Sequence, residues 1–140
     1  MEMKLRFLGA AQNVTGSRHL LEISGTGFQP VENTAKMAVP LRLLVDCGLY
    51  QERQFLARNW EPFAVPPESI NAVFLTHAHL DHCGLLPKLV RDGFSGRIYC
   101  TQATAEIARI ILLDSAKIQE EDVALDGRAA SANSPREAVA

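Results

Sequence analysis

Residues 71–84 read Asn-Ala-Val-Phe-Leu-Thr-His-Ala-His-Leu-Asp-His-Cys-Gly, a run of β-formers that ends in a cluster of metal-ligating side chains. The apolar run Asn71 to Thr76 is short and bounded, which predicts a buried strand. Side chains two apart in an extended chain point to the same side, so His77 and His79 can face one ion. Asp81 and His82 fall where the strand gives way to a helix start, and the turn can swing them toward a second ion. Neutral imidazole and carboxylate are the ligands that zinc and similar first-row metals prefer. Three of the four histidines of the chain lie in these six positions. With His at about 2% and Asp at about 5% of residues, such a match arises by chance in about a few per hundred thousand chains of this length. The plainer alternative is a polar loop with solvated histidines, and the strand-then-helix context speaks against it.

Working outward, the upstream half reads as strands. Residues 3–8 alternate and stop at Gly9, and the loop Gly9 to Ser17 follows with two glycines. His19 to Ser24 predicts a second strand. The Gly- and Pro-bearing stretch 25–40 predicts a surface excursion between paired strands. Leu41 to Asp46 predicts a third strand, turned by Cys47-Gly48. A short helical piece is expected at 52–59, and Pro62, Pro66 and Pro67 break the chain before the next strand. Downstream, a helix is expected from Cys83 to Arg91, with Pro87 near its first turn and Gly93 as its stop. Arg97 to Cys100 predicts a further strand. From Thr104 to Glu121 the spacing of Ile107, Ile110, Ile111, Asp114 and Ile118 predicts an amphipathic helix. Gly127 to Ala140 has no apolar period and is expected to be a disordered end. The fold class is therefore α/β, a mixed β-sheet with flanking helices, with one domain over 1–126 and a tail over 127–140.

The 140 residues are 47% hydrophobic and 21% charged, enough for one domain with a real core. Fourteen Lys and Arg against sixteen Asp and Glu leave a net charge of -2. The charges are spread evenly over the two halves, which argues against a self-sufficient nucleic-acid binder with a broad basic surface. A bound dication or a second domain can supply the missing positive charge. No stretch approaches the run of about 18 apolar residues that a membrane helix needs, and the alternating start reads as a strand rather than a leader. Cys47, Cys83 and Cys100 are odd in number and scattered, which fits free thiols in a reducing compartment, the cytoplasm.

The segment His77-Ala78-His79-Leu80-Asp81-His82 resembles the HxHxDH signature of the metallo-β-lactamase fold superfamily, and the likeness extends over about residues 3 to 122. Three flanking stretches resemble its β-CASP branch of RNA-processing nucleases: Gly9-Ala10-Ala11 with Val14-Thr15-Gly16-Ser17, Leu44-Val45-Asp46-Cys47-Gly48, and Asp114-Ser115-Ala116-Lys117-Ile118-Gln119-Glu120-Glu121-Asp122. The resemblance implies part of an αββα sandwich. It implies that His77 and His79 hold one zinc, and that Asp81 and His82 hold the other. Asp46 corresponds to the family's first motif, where it accepts a hydrogen bond from a ligand histidine; the alternative is a turn residue at a strand end. Asp81 and Asp46 are the expected catalytic residues. The implied activity is hydrolysis of an RNA phosphodiester by a hydroxide activated by two zinc ions.

That family completes its metal site with a further histidine and a bridging aspartate well downstream, and the β-CASP domain adds more. After His82 this sequence contains no histidine. The expectation is thus an amino-terminal piece, with about half of the metallo-β-lactamase domain and none of the cap. The alternatives are a hydrolase of the same fold acting on a thioester or other small substrate, and a catalytically inactive fragment. RNA is the expected partner, with no membrane association and a homo-oligomer as an option. The sequence leaves open endonuclease against exonuclease action, and RNA against DNA.

Other positions carry plainer expectations. His19, at a strand start, reads as structural. The Gly9 to Ser17 loop is a tight turn before it is a phosphate cradle. Cys83 reads as a small core residue, and Glu120-Glu121-Asp122 as a solvated helix end. Arg53, Arg58 and Arg91 taken singly read as surface charges.

Overall fold

The computed structural model describes residues 1–25 and 40–132, with side chains through 125. Five strands form one sheet in the order β1-β2-β3-β4-β5: Glu2–Gly9, Arg18–Ser24, Leu41–Val45, Ala72–Phe74 and Arg97–Tyr99. The pairs β1·β2 and β2·β3 are antiparallel, whereas β3·β4 and β4·β5 are parallel. The sheet is mixed because β4 is reached by a long crossover and β5 by helices, while β1 to β3 follow one another as neighbours. The helices are α1 (Leu80–Cys83), α2 (Leu86–Arg91) and α3 (Gln102–Ala132), and 3-10 turns cover Leu56–Asn59 and Pro67–Ser69.

The register explains where the core lies. Leu20 pairs with Leu44 and Leu44 with Val73, so one row of apolar side chains crosses three strands on one face. Leu85, Leu86, Leu89 and Phe94 pack against that row, and all seven residues are buried. Fully burying one such side chain contributes about 1.5–3 kcal/mol. The adjacent row faces the other way, through Phe7, His19, Val45, Phe74 and Tyr99. Among the described residues that face carries no helix, and Phe7 is 63% exposed.

Three boundaries differ from expectation. The helix expected from Cys83 to Arg91 begins earlier, at Leu80, and is split in two. Pro87 is the cause: inside a continuous helix its ring would clash with the carbonyl of Cys83, so it sits in the first turn of α2 instead. The break is stabilised because the Leu85 amide donates to the Cys47 carbonyl at 2.9 Å. Asp81 and His82 therefore stand on α1 and not in a turn before it. The helical piece expected at 52–59 shrinks to the 3-10 turn. The last helix runs beyond Glu121 to Ala132, so 127–132 are helical where a disordered end was expected. Residues 133–140 and most of the expected excursion, 26–39, lie outside the described residues.

Candidate metal centre

The site is assembled at the ends of parallel strands β3 and β4, where open α/β sheets place their ligands. At the exit of β3, Asp46 takes a left-handed backbone conformation, φ 61°, which a short polar side chain tolerates better than a branched one. The turn aims its carboxylate inward, where it is 2% exposed. Gly48 follows, and a Cβ there would lie 1.6 Å from the Asp81 carbonyl oxygen, so only glycine lets this strand exit lie flat on α1. Backbone hydrogen bonds then tie the two segments together: Ser17 to Asp81 at 2.8 Å, Cys47 to His82 at 2.8 Å and Leu49 to Leu80 at 3.0 Å.

Asp46 is the hub. Its carboxylate accepts the Thr76 amide at 2.8 Å and the Thr76 hydroxyl at 3.0 Å, and Ser17 Oγ approaches at 3.3 Å. His82 Nδ1 lies 2.7 Å from Asp46 Oδ2. A carboxylate only accepts, so the neutral His82 ring carries its proton on Nδ1, an assignment that follows from the network. The Thr76 hydroxyl spends its proton on Asp46, so its oxygen accepts from His77 Nδ1 at 3.0 Å. Both rings then present Nε2 as a lone pair.

The donors approach as pairs. The His77 and His79 rings meet edge-on with centroids 4.8 Å apart, and His77 and His82 are 3.9 Å apart. His82 Nε2 faces Asp81 Oδ2 at 3.3 Å, two acceptors turned toward each other. That arrangement calls for a proton or a cation between them, and a borderline metal that takes nitrogen and carboxylate oxygen fits the donor set. Among the described residues no three His, Cys, Asp or Glu side chains surround one ion-sized point. The donors present fit partial coordination, two side chains at a time, and do not close a shell.

The remaining candidates separate cleanly. Cys83 is no ligand in this arrangement: burial pushes its thiol up to about 11, and Sγ donates to the Ala78 carbonyl. Cys47 is buried too, with its thiol pushed up to about 12. His19 makes no direct contact with the other histidines: its ring is edge-on to Phe7 at 5.3 Å, and Nε2 lies 3.4 Å from Ser17 Oγ. The Gly9 to Ser17 loop already holds an anion of its own: the Glu52 carboxylate accepts the amides of Val14 and Thr15 at 2.9 and 3.0 Å and the Thr15 hydroxyl. Asp114 and Glu120 are exposed on α3. Sequence reasoning missed Thr76 and Ser17. Thr76 ends an apolar run and gives no sign of its second partner, because Asp46 lies 30 positions away.

The model of the metallo-beta-lactamase superfamily matches residues 42–127. The chain is 43% identical over 119 residues to "Ribonuclease TTHA0252" of Thermus thermophilus, covering 85% of this chain and 24% of that protein. It is 40% identical over 85 residues to "Transcription termination factor FttA" of Methanococcus maripaludis, covering 58% of this chain and 13% of that protein. It is 31% identical over 117 residues to "Cleavage and polyadenylation specificity factor 73" of Drosophila melanogaster, covering 83% of this chain and 15% of that protein. The chain thus spans a quarter or less of the length of these relatives.

Proposed function

The chain belongs to the metallo-beta-lactamase superfamily, and on that footing we propose that it carries the metal-binding part of an RNA phosphodiesterase of the β-CASP branch. The relatives named for ribonuclease, termination and cleavage factors support that reading. The observation that carries it is the Asp46 hub, which fixes His82 directly and His77 through Thr76. Such a hub is what oriented imidazole ligands need and what a solvated polar loop has no use for.

In this reading His77 and His79 hold one zinc ion, and Asp81 and His82 hold a second. The chemistry such ions supply when bound is Lewis acidity, toward water and toward the non-bridging oxygens of a phosphodiester. The chain's own residues do the rest. Asp46 holds the His82 proton on Nδ1, which keeps Nε2 available. Thr76 relays the same constraint to His77. Asp81 contributes a carboxylate beside His82 Nε2, and its role in this reading is to bind an ion and to orient the nucleophile. The described residues include no helix long and apolar enough to cross a membrane, and Cys47, Cys83 and Cys100 are free thiols, which suits a cytoplasmic protein.

The test is hydrolysis of an RNA oligonucleotide by a longer chain that includes this segment. Asp81→Ala or His82→Ala is expected to abolish zinc-dependent cleavage, while His19→Ala leaves the rate per folded molecule nearly unchanged. Cleavage of a thioester but not of RNA would overturn the substrate assignment.

A further inference from the structure

On the helix side of the sheet, a cavity of about 330 Å³ opens between β2 and the segment 58–65. That volume lies at the small end of ligand pockets. Its walls include Arg18, Leu44, Tyr50, Arg58, Glu61 and Phe63. Arg18 alternates with Leu20 along β2, so it points to the helix side, away from His19 on the open face.

Two arginines line this cavity. Among the described residues neither Arg18 nor Arg58 forms an ion pair, although Glu61 lines the same cavity. Arg18 Nε is buried and has no hydrogen-bond partner. A buried guanidinium N–H without an acceptor is costly, and the cost is removed when an anion takes the place of the missing partner. Both guanidiniums also lie over the ring of Tyr50, at 5.0 and 5.7 Å from its centroid, and Arg58 lies over Phe55 at 4.6 Å. Both guanidiniums thus stand beside one ring and line one cavity, where an anion can meet them. Guanidinium forks match the oxygens of phosphate with paired, parallel hydrogen bonds.

We propose that this cavity binds a phosphate group through Arg18 and Arg58, apart from the histidine cluster and without need of a metal. The same chemistry is offered by a terminal phosphomonoester and by the backbone of a polynucleotide. For the latter source the proposal rests on the RNA reading above. Glu61 sets the orientation, because its carboxylate repels an anion from its own side of the cavity.

Isothermal titration calorimetry of the full chain in excess chelator separates this from the metal-centre reading, since neither zinc nor turnover is involved. Three probes are used: inorganic phosphate, uridine 5′-monophosphate and an oligouridylate with a free 5′-hydroxyl. Binding of at least one is expected, weakened about tenfold by Arg58→Gln, the loss expected for one charge-assisted contact. Arg18→Gln should do the same, and Glu61→Gln should tighten binding. Binding of the monophosphate but not the oligonucleotide identifies a terminal phosphate as the source; the reverse identifies the backbone. Arg58 is exposed, so its variant remains informative even where Arg18→Gln unfolds, and circular dichroism checks each fold. Absence of heat with all three probes at about 1 mM would overturn the proposal. So would an affinity that Arg58→Gln leaves unchanged.

Discussion

Thr76 shows what a single hydroxyl contributes. Among the described residues it is the hydrogen-bonding link between Asp46 and His77, and it works because the carboxylate can accept but never donate. Replacing it with valine keeps the shape and removes the relay. We expect the metal-free Thr76→Val protein to retain the Nδ1–H form of His82, which Asp46 holds directly, and to lose the preference at His77. Long-range nitrogen–proton NMR of the two rings reads this out; an unchanged His77 tautomer would contradict the relay. The four residues of the His77–His82 cluster were legible in the sequence because their spacing is local. Ser17 and Thr76 were not, because their roles depend on Asp46, which three-dimensional folding brings to them. Arg58 was legible only as a surface charge, since nothing in its neighbourhood along the chain announces Tyr50.

At the scale of elements, the site depends on how closely the exit of β3 lies on α1. Gly48→Ala would force the Asp81 carbonyl to move, disturbing three backbone hydrogen bonds and the carrier of two candidate ligands. We expect a loss of about 3 kcal/mol, at the upper end of ordinary single substitutions. Denaturant unfolding checks it, and a loss below about 0.5 kcal/mol would show that the approach is slack. The Gly9 to Ser17 loop is held differently. Its hydrogen bonds from the Thr15 hydroxyl, and from the Thr15 and Val14 amides, hold the Glu52 carboxyl down to about 2 from its ordinary 4.5. A depressed carboxylate contributes stability above its ordinary value, and that contribution is lost as pH falls through the folded value. The loop clamp should therefore persist through pH 4.5 and release toward pH 2, with the amide shifts of Val14 and Thr15 titrating near 2. A midpoint near 4.5 would contradict the clamp. Strand and helix identities were legible here from apolar patterning. The split of the helix at Gly84 and Leu85 was harder to see, because Pro87 is tolerated in a first turn and the sequence does not say which first turn that is.

For the whole molecule, the decisive feature is a sheet that the described residues cover on one side. Met3, Leu5 and Phe7 on β1, with Phe74 and Tyr99 across the sheet, form an apolar face that is about half exposed. Surfaces of this kind mark sites of association, and layered folds bury them against a second layer. The α/β class and the mixed sheet were legible in the sequence, and the sandwich expected from the resemblance accounts for the open face. We expect the isolated chain to associate with rising concentration in sedimentation, and Phe7→Lys to reduce it. A compact monomer at every concentration would contradict that. The central claim is that His77, His79, Asp81 and His82 bind metal but do not by themselves complete a two-ion site. Competition of the purified chain with a chromophoric chelator for zinc tests it most directly. The account predicts binding weaker than a full four-ligand zinc site, lost in His79→Ala with His82→Ala, and weakened about 10–100-fold by Asp46→Ala. Two tightly held equivalents per chain, or zinc binding indifferent to those histidines, would contradict it.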